Sequence, residues 1–315
     1  MEKTGWKFVC DLYHGVGCDV DLENTQAYEK YFIHYPWELG SYENYTLEKA
    51  RIALEHHMCR LTRKDFPSYG LGKDDLKNKV IWDLGSAVGF MPMCFSKYYG
   101  AKEVHAFDQS ENCIKWGRHL SELSKISNIH FHKCNLYELS QMHVRNPPDI
   151  IFCQGVLHHM FDLRRVAQAI ASKCIPDTVL YCTHSSYRTR VGLVKYYKNH
   201  LSWARGGDNL ERRLEVGKRI WRSWLEKSQT PDEILNNQLT DWAGALYVAR
   251  RKKTVLKAFD DCGFVTRSLS SFKWDYTWRK QNWKNYISFS PIGEFLFRLP
   301  PMFFRAIYRP SDEAV

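Results

Sequence analysis

Lys79-Val80-Ile81-Trp82-Asp83-Leu84-Gly85-Ser86-Ala87-Val88-Gly89-Phe90 opens a unit that closes on Val104-His105-Ala106-Phe107-Asp108-Gln109. The apolar run Val80–Asp83 followed by glycines reads as a buried strand and a tight turn. Met91–Tyr99, stopped by Gly100, reads as a helix, and Val104–Phe107 as a second strand. Such a turn takes glycine where backbone must lie close to a ligand and a Cβ would intrude. Asp108 follows the glycines by about 20 residues. In a βαβ unit that spacing sets a carboxylate at the end of the neighbouring strand, where it can accept hydrogen bonds from a ribose diol.

Outward from this unit the same alternation continues. Glu111–Ser124 has the apolar spacing of a helix, Ile129–His132 that of a strand, and Cys134-Asn135-Leu136 follows it. Pro147-Pro148-Asp149 introduces the strand Ile150–Cys153, and then comes Gln154-Gly155-Val156-Leu157-His158-His159-Met160-Phe161-Asp162. Leu163–Lys173 reads as a helix and Asp177–Cys182 as a fifth strand. Strands alternating with helices of this length predict an α/β fold with a doubly wound, mostly parallel sheet.

A dinucleotide fingerprint needs G-x-G-x-x-G, and Gly85, Ala87 and Gly89 do not have that spacing. Asp83-x-Gly85-x-Ala87-x-Gly89 instead resembles motif I of the class I S-adenosylmethionine (SAM) methyltransferases, with Ala87 in place of the middle glycine. The Gly155-Val156-Leu157-x-His159 stretch resembles the strand-four signature of the same family, in particular its small-molecule, type 11-like members. The resemblance covers roughly residues 79–184. It implies a Rossmann-like, seven-stranded methyltransferase sheet with SAM as cofactor. It also implies that Asp83, Gly85, Ser86 and Gly89 line the methionine and ribose side, and that Asp108 and Gln109 take the ribose hydroxyls. Asn135 and Leu136 would flank the adenine, with Asn135 where the family often has Asp, and Gln154 would face the reacting carbon. His158 and His159 would lie beside the methyl group. An imidazole titrating near neutrality suits a general base. Alternation along the chain suggests that only one of the two enters the pocket, and His158 is the candidate base, with His159 structural. The alternative, that positioning alone suffices, stays open.

Residues 1–78 precede the first strand and form an expected N-terminal helical cap, with helical spacing at Glu23–Tyr35 and Leu47–Leu61. Tyr31 and Trp37 are candidate substrate or cofactor contacts, since aromatic faces suit an adenine or a sulfonium cation; core packing explains them equally simply. Residues 79–185 are the expected SAM-binding core. Residues 186–245 read as a basic helical insertion roofing the substrate, with Leu193–Trp203 and Leu210–Leu225 helical and Gly206-Gly207 between them. Thr230-Pro231-Asp232-Glu233 reads as a further helix start. Residues 246–315 then supply a last helix at Arg251–Cys262, an edge strand at Phe264–Ser270, and a docked terminal segment at Ile292–Phe304. His184, Tyr187, Arg188 and Arg190 sit at the expected pocket mouth, where arginines suit a carboxylate or phosphate. A basic surface turn is the plain alternative.

Of the net charge of +10, most falls between Ser186 and Lys257, where 16 Lys and Arg face 7 Asp and Glu. That bears on partners rather than on fold: a small anionic substrate, or nucleic acid as in the tRNA wobble-uridine enzymes that part of the chain also resembles. A solvated helical surface, or a non-catalytic SAM-fold binding protein, are the blander readings. Ten cysteines include no C-x-x-C pair, so no metal site is expected. The opening Met1-Glu2-Lys3-Thr4-Gly5 does not read as a leader, and no run of about 18 apolar residues offers a membrane span. Together these favour a cytoplasmic setting.

Overall fold

The computed structural model describes residues 46–184, 190–207, 209–222, 243–244, 248, 250, 252–269 and 302–310. Two helical pieces lead in: α1 (Leu47–Arg60), capped by Thr46, and the short α2 (Phe66–Tyr69), joined by a π-type turn. The core then alternates as β1 (Val80–Leu84), α3 (Phe90–Tyr99), β2 (Glu103–Asp108), α4 (Glu111–Leu123), β3 (Ile129–Lys133), β4 (Ile150–Cys153), α5 (Leu163–Ala171) and β5 (Val179–His184). Short 3-10 turns at Leu136–Gln141 and Leu157–His159 follow β3 and β4. Beyond β5 come α6 (Arg190–Gly206), α7 (Leu210–Ile220), α8 (Lys252–Asp260), β6 (Phe264–Ser268) and β7 (Met302–Tyr308).

The seven strands form one sheet in the order β3-β2-β1-β4-β5-β7-β6. β1 to β5 are mutually parallel, and β7 runs antiparallel to both neighbours. The parallel strands read as apolar runs because both faces are covered; all five residues of β1 are buried. Period-two alternation splits the core in two. Ile81, Val104, Ala106, Phe152 and Tyr181 meet α1, α2, α3 and α4 on one face. Trp82, Phe107, Ile151, Cys153, Leu180 and Cys182 meet α5 and α8 on the other. Cys94, Cys113, Cys134, Cys153 and Cys182 are buried free thiols packed as small apolar groups.

The terminal stretch departs from expectation. Residues 302–308 are a strand, and it does not lie at the margin but between β5 and β6. Its neighbours make it so: Phe304 and Ala306 are buried, and each residue from Phe304 to Ile307 pairs in both ladders. The fifth strand also starts later than expected, because Asp177 adopts a left-handed φ of 72° in the turn before it. Glu23–Tyr35, the start at Thr230, and Ile292 to Pro301 lie outside the described residues.

α6 and α7 form a close pair. A Cβ on Gly206 would lie 2.7 Å from the Arg213 backbone nitrogen, so glycine sets how near the helices come. Arg213, although cationic, is buried; its guanidinium lies 3.8 Å from the Trp203 ring and donates to the Gly207 carbonyl at 2.7 Å. Lys198 lies 4.1 Å from the Trp221 ring. Part of the basic excess is therefore turned onto indoles rather than to solvent. Among the described residues no helix is long and apolar enough to cross a membrane.

At the β2–β3 margin three histidines share one face. His105 Nδ1 lies 2.9 Å from His132 Nε2, and Glu103 Oε1 lies 2.8 Å from His105 Nε2 and 3.4 Å from His130 Nε2. Burial, and the neighbouring His105, His130 and Arg118, hold the His132 imidazole down at about 4. Burial lowers His105 too, against the pull of Glu103.

Candidate cofactor and active site

The ends of β1, β2, β3 and β4 converge at one pole of the sheet, the crevice where open α/β sheets take ligands. Asp83 is buried near the end of β1. The turn after it folds over the end of β2: the Gly85 and Ser86 amides both donate to the Phe107 carbonyl, at 2.8 and 2.9 Å. Gly85, Ala87 and Gly89 all have left-handed φ, at 76°, 49° and 80°. Ala87 is the residue that bears a side-chain penalty for this, about 1–2 kcal/mol for an L-residue in that region.

The two flanking glycines are required by the protein's own packing. A Cβ on Gly85 would stand 2.2 Å from Val156 Cγ2, and one on Gly89 would stand 2.6 Å from Phe131 Cε1. These two internal contacts demand glycine whatever else lies against the turn. The first of them presses the β1 turn against the loop after β4.

Asp108 locks the turn. Its Oδ2 accepts from the Ala87 amide at 2.8 Å and its Oδ1 from the Ser110 amide at 2.9 Å. Burial raises its carboxyl above the ordinary carboxylate value, although the amides of Ser110, Ala87 and Gln109 pull the other way. Three amides on a carboxylate's roughly four acceptor positions leave about one for a ligand hydroxyl. After β3, Asn135 Oδ1 accepts from the Tyr137 amide at 3.1 Å and so caps the 3-10 turn, a local role the sequence reading did not foresee. Leu136 beside it is buried.

Past β4, Gln154 reaches the buried hydroxyl of Tyr69 on α2. Its Nε2, the donor of that side chain, is buried against the hydroxyl. Gln154 thus ties the loop after β4 to α2, while the acceptor position left on Asp108 fits a ligand hydroxyl. Gly155, at φ 73°, has open space where its Cβ would be, and its amide donates to Thr183 Oγ1 at 2.8 Å.

His158 and His159 occupy a 3-10 turn rather than an extended segment, so the expected alternation does not apply. Both are buried, with ring centroids 4.1 Å apart. The His159 amide donates to the Val156 carbonyl at 2.8 Å, and the His158 carbonyl accepts from the Val248 amide at 2.7 Å. His184 ends β5 and Arg190 begins α6, but their side chains lie outside the described residues, as do Tyr31, Trp37, Tyr187 and Arg188. The sequence reading missed Tyr69, Tyr137, Val156 and Thr183. Val156 lay inside the quoted strand-four signature, and Tyr137 left a trace as an aromatic residue two places beyond Asn135.

A family described as a methyltransferase domain matches residues 75–236. An uncharacterized protein of Synechococcus is 30% identical over 102 residues, which are 32% of this chain and 24% of that protein. The chain thus spans about a quarter of that relative's length. Among solved structures, the YcgJ protein from Bacillus subtilis is 14% identical with a TM-score of 0.48, over 81% of this chain and 100% of that one. A SAM-dependent methyltransferase from Mesorhizobium loti is 15% identical with a TM-score of 0.48, over 84% and 99%.

Proposed function

Because the chain belongs to the methyltransferase domain family, with the fold and cofactor class of the SAM-dependent enzymes, we propose that it transfers a methyl group to an oxygen or nitrogen of a small anionic metabolite. The observation that carries this is the Asp108 carboxylate, clamped by the Ala87 and Ser110 amides at the same pole as Gln154 and the buried histidine turn. SAM, when bound, supplies a sulfonium methyl that is already electrophilic. What remains for the protein is alignment and, for a protonated acceptor, a base.

Asp108 accepts the ribose hydroxyls, Asn135 and Leu136 flank the adenine, and the β1 turn with Asp83, Ser86 and Gln109 holds the rest of the cofactor. Gln154 orients the reacting end, its amide held in place against Tyr69. His158 takes the acceptor's proton as the methyl arrives. The basic α6–α7 segment, with Arg190 at its head, supports a preference for an anionic acceptor. The exposed Arg205, Arg212, Lys218, Arg219 and Arg222 support tRNA as a second reading, which predicts binding to bulk tRNA that weakens steeply with salt.

Calorimetry with S-adenosylhomocysteine tests the site. Binding to the wild type and at least about 100-fold weaker binding to Asp108→Ala are expected, because a buried diol loses its charged acceptor. Equal affinity in the two proteins would refute the placement. With a substrate found by screening labelled SAM against anionic metabolites, His158→Ala should lose turnover and keep its cofactor affinity. Wild-type turnover in that variant would remove His158 as the base.

A further inference from the structure

One side chain joins the loop after β3 to the histidine turn after β4. Tyr137 is 5% exposed, and its hydroxyl oxygen accepts from the Phe161 amide at 2.9 Å and the Asp162 amide at 3.1 Å. Those amides sit two and three places after His159. The Tyr137 backbone is fastened at its other end, where its own amide donates to Asn135 Oδ1 at 3.1 Å. The Arg165 guanidinium lies 4.9 Å from its ring, and Asp162 caps the helix bearing that arginine, accepting from the Arg165 amide at 2.9 Å.

The opposite side of the turn is held separately, by Val248 on the His158 carbonyl and by Arg250 on the Phe161 carbonyl. Burial raises the phenol above its ordinary value, so the oxygen is a neutral acceptor at physiological pH. A hydroxyl oxygen has two lone pairs, and both are used. The tie is therefore specific to a hydroxyl at this position and not to an aromatic ring.

We propose that Tyr137 is a positioning residue that transmits occupancy of the Asn135–Leu136 loop to the His158–His159 turn. The inference rests on the reading that the cofactor's adenine end lies against Asn135 and Leu136. Occupancy would stiffen the 3-10 turn that begins at Leu136. The hydroxyl, carried on that turn, would then fix the two amides that set where the histidines point. Its consequence is that the base takes its working position once the cofactor is in place.

Tyr137→Phe removes one oxygen and keeps the ring, and Arg165→Ala controls for loss of packing around it. Amide hydrogen exchange is followed at Phe161 and Asp162 with and without S-adenosylhomocysteine, alongside calorimetry and thermal melts. In the wild type the ligand should slow both amides. In Tyr137→Phe they should exchange at least about 10-fold faster without ligand, since each loses its acceptor. Added ligand should then no longer slow them, although its affinity stays within about 3-fold of wild type. Arg165→Ala should keep the ligand response. Ligand-induced slowing that persists in Tyr137→Phe, or unchanged exchange in the ligand-free variant, overturns the proposal. If the wild type gives no binding heat, the functional reading fails instead, and the ligand-free exchange still decides whether Tyr137 sets the turn.

Discussion

Replacing Gly85 by alanine should cost the fold two separable quantities. The first is backbone: at φ 76° an L-residue gives up about 1–2 kcal/mol relative to glycine. The second is steric: a Cβ only 2.2 Å from Val156 Cγ2 cannot stay there, and forcing a methyl group into packed surroundings costs about 1–3 kcal/mol. The sum is about 2–5 kcal/mol, or a fall in Tm of roughly 3–8 °C for a chain of this size. Gly155 provides the internal standard. Its φ is 73°, but nothing lies within 4 Å of its added Cβ, so Gly155→Ala should show the backbone quantity alone. Truncating Val156 to alanine in the Gly85→Ala background should restore about 1–3 kcal/mol, a favourable coupling between the two sites. Urea unfolding followed by circular dichroism on the four proteins of the cycle, with Gly155→Ala beside them, measures all of this. Equal losses at Gly85 and Gly155, or a cycle without coupling, would refute the claim that Val156 dictates the glycine.

Two further outcomes follow from the same region and from the histidine ladder. Ala87→Gly should keep or raise stability, by up to about 1 kcal/mol, because relief of the left-handed φ slightly exceeds the extra freedom glycine brings to the unfolded chain; a clear fall in the urea midpoint would contradict this. His132 binds its proton at about 4 in the folded chain against 6.5 otherwise, so the unfolded state takes up the proton first on acidification. Stability should therefore fall as pH drops from about 6.5 to about 4, with a slope of at most about 1.4 kcal/mol per pH unit from this group. His132→Gln should flatten that part of a stability–pH profile, and an unaltered slope would show that the ladder is not its source.

The parallel half of the sheet was legible because each of its strands is an apolar run closed by a turn residue, which is what burial on both faces demands. Gly100 and Asp162 marked helix boundaries through chemistry that is local. The placement of β7 was not local. Phe304-Arg305-Ala306-Ile307 alternates weakly and follows Pro300-Pro301, and its strand character comes from lying between two other strands. The site divided along the same line. Spacing alone put Asp108 at the end of β2 beside the glycine turn, whereas the Gly85–Val156 contact was not readable, because Val156 lies far along the chain and meets Gly85 only through the β1–β4 pairing. The histidine turn escaped for a related reason. Its 3-10 geometry is held by Tyr137, Val248 and Arg250, and no motif around residues 157–159 encodes them. The ladder of His105, His130 and His132 went unread, because it forms only through the β2–β3 register, which no local pattern encodes.

The order of the last three strands has a consequence for biosynthesis. Among the described strands, β6 pairs with β7 alone, and β7 is made after it. A nascent chain that has left the ribosome only as far as residue 300 can assemble five parallel strands, and among the described strands β5 is then the margin, without the ladder that β7 provides. During that interval the intermediate depends on chaperones or on speed to avoid joining a neighbour edge to edge. A stop codon anywhere between β6 and β7 would remove both outer strands from the sheet, although only one of them is missing from the polypeptide.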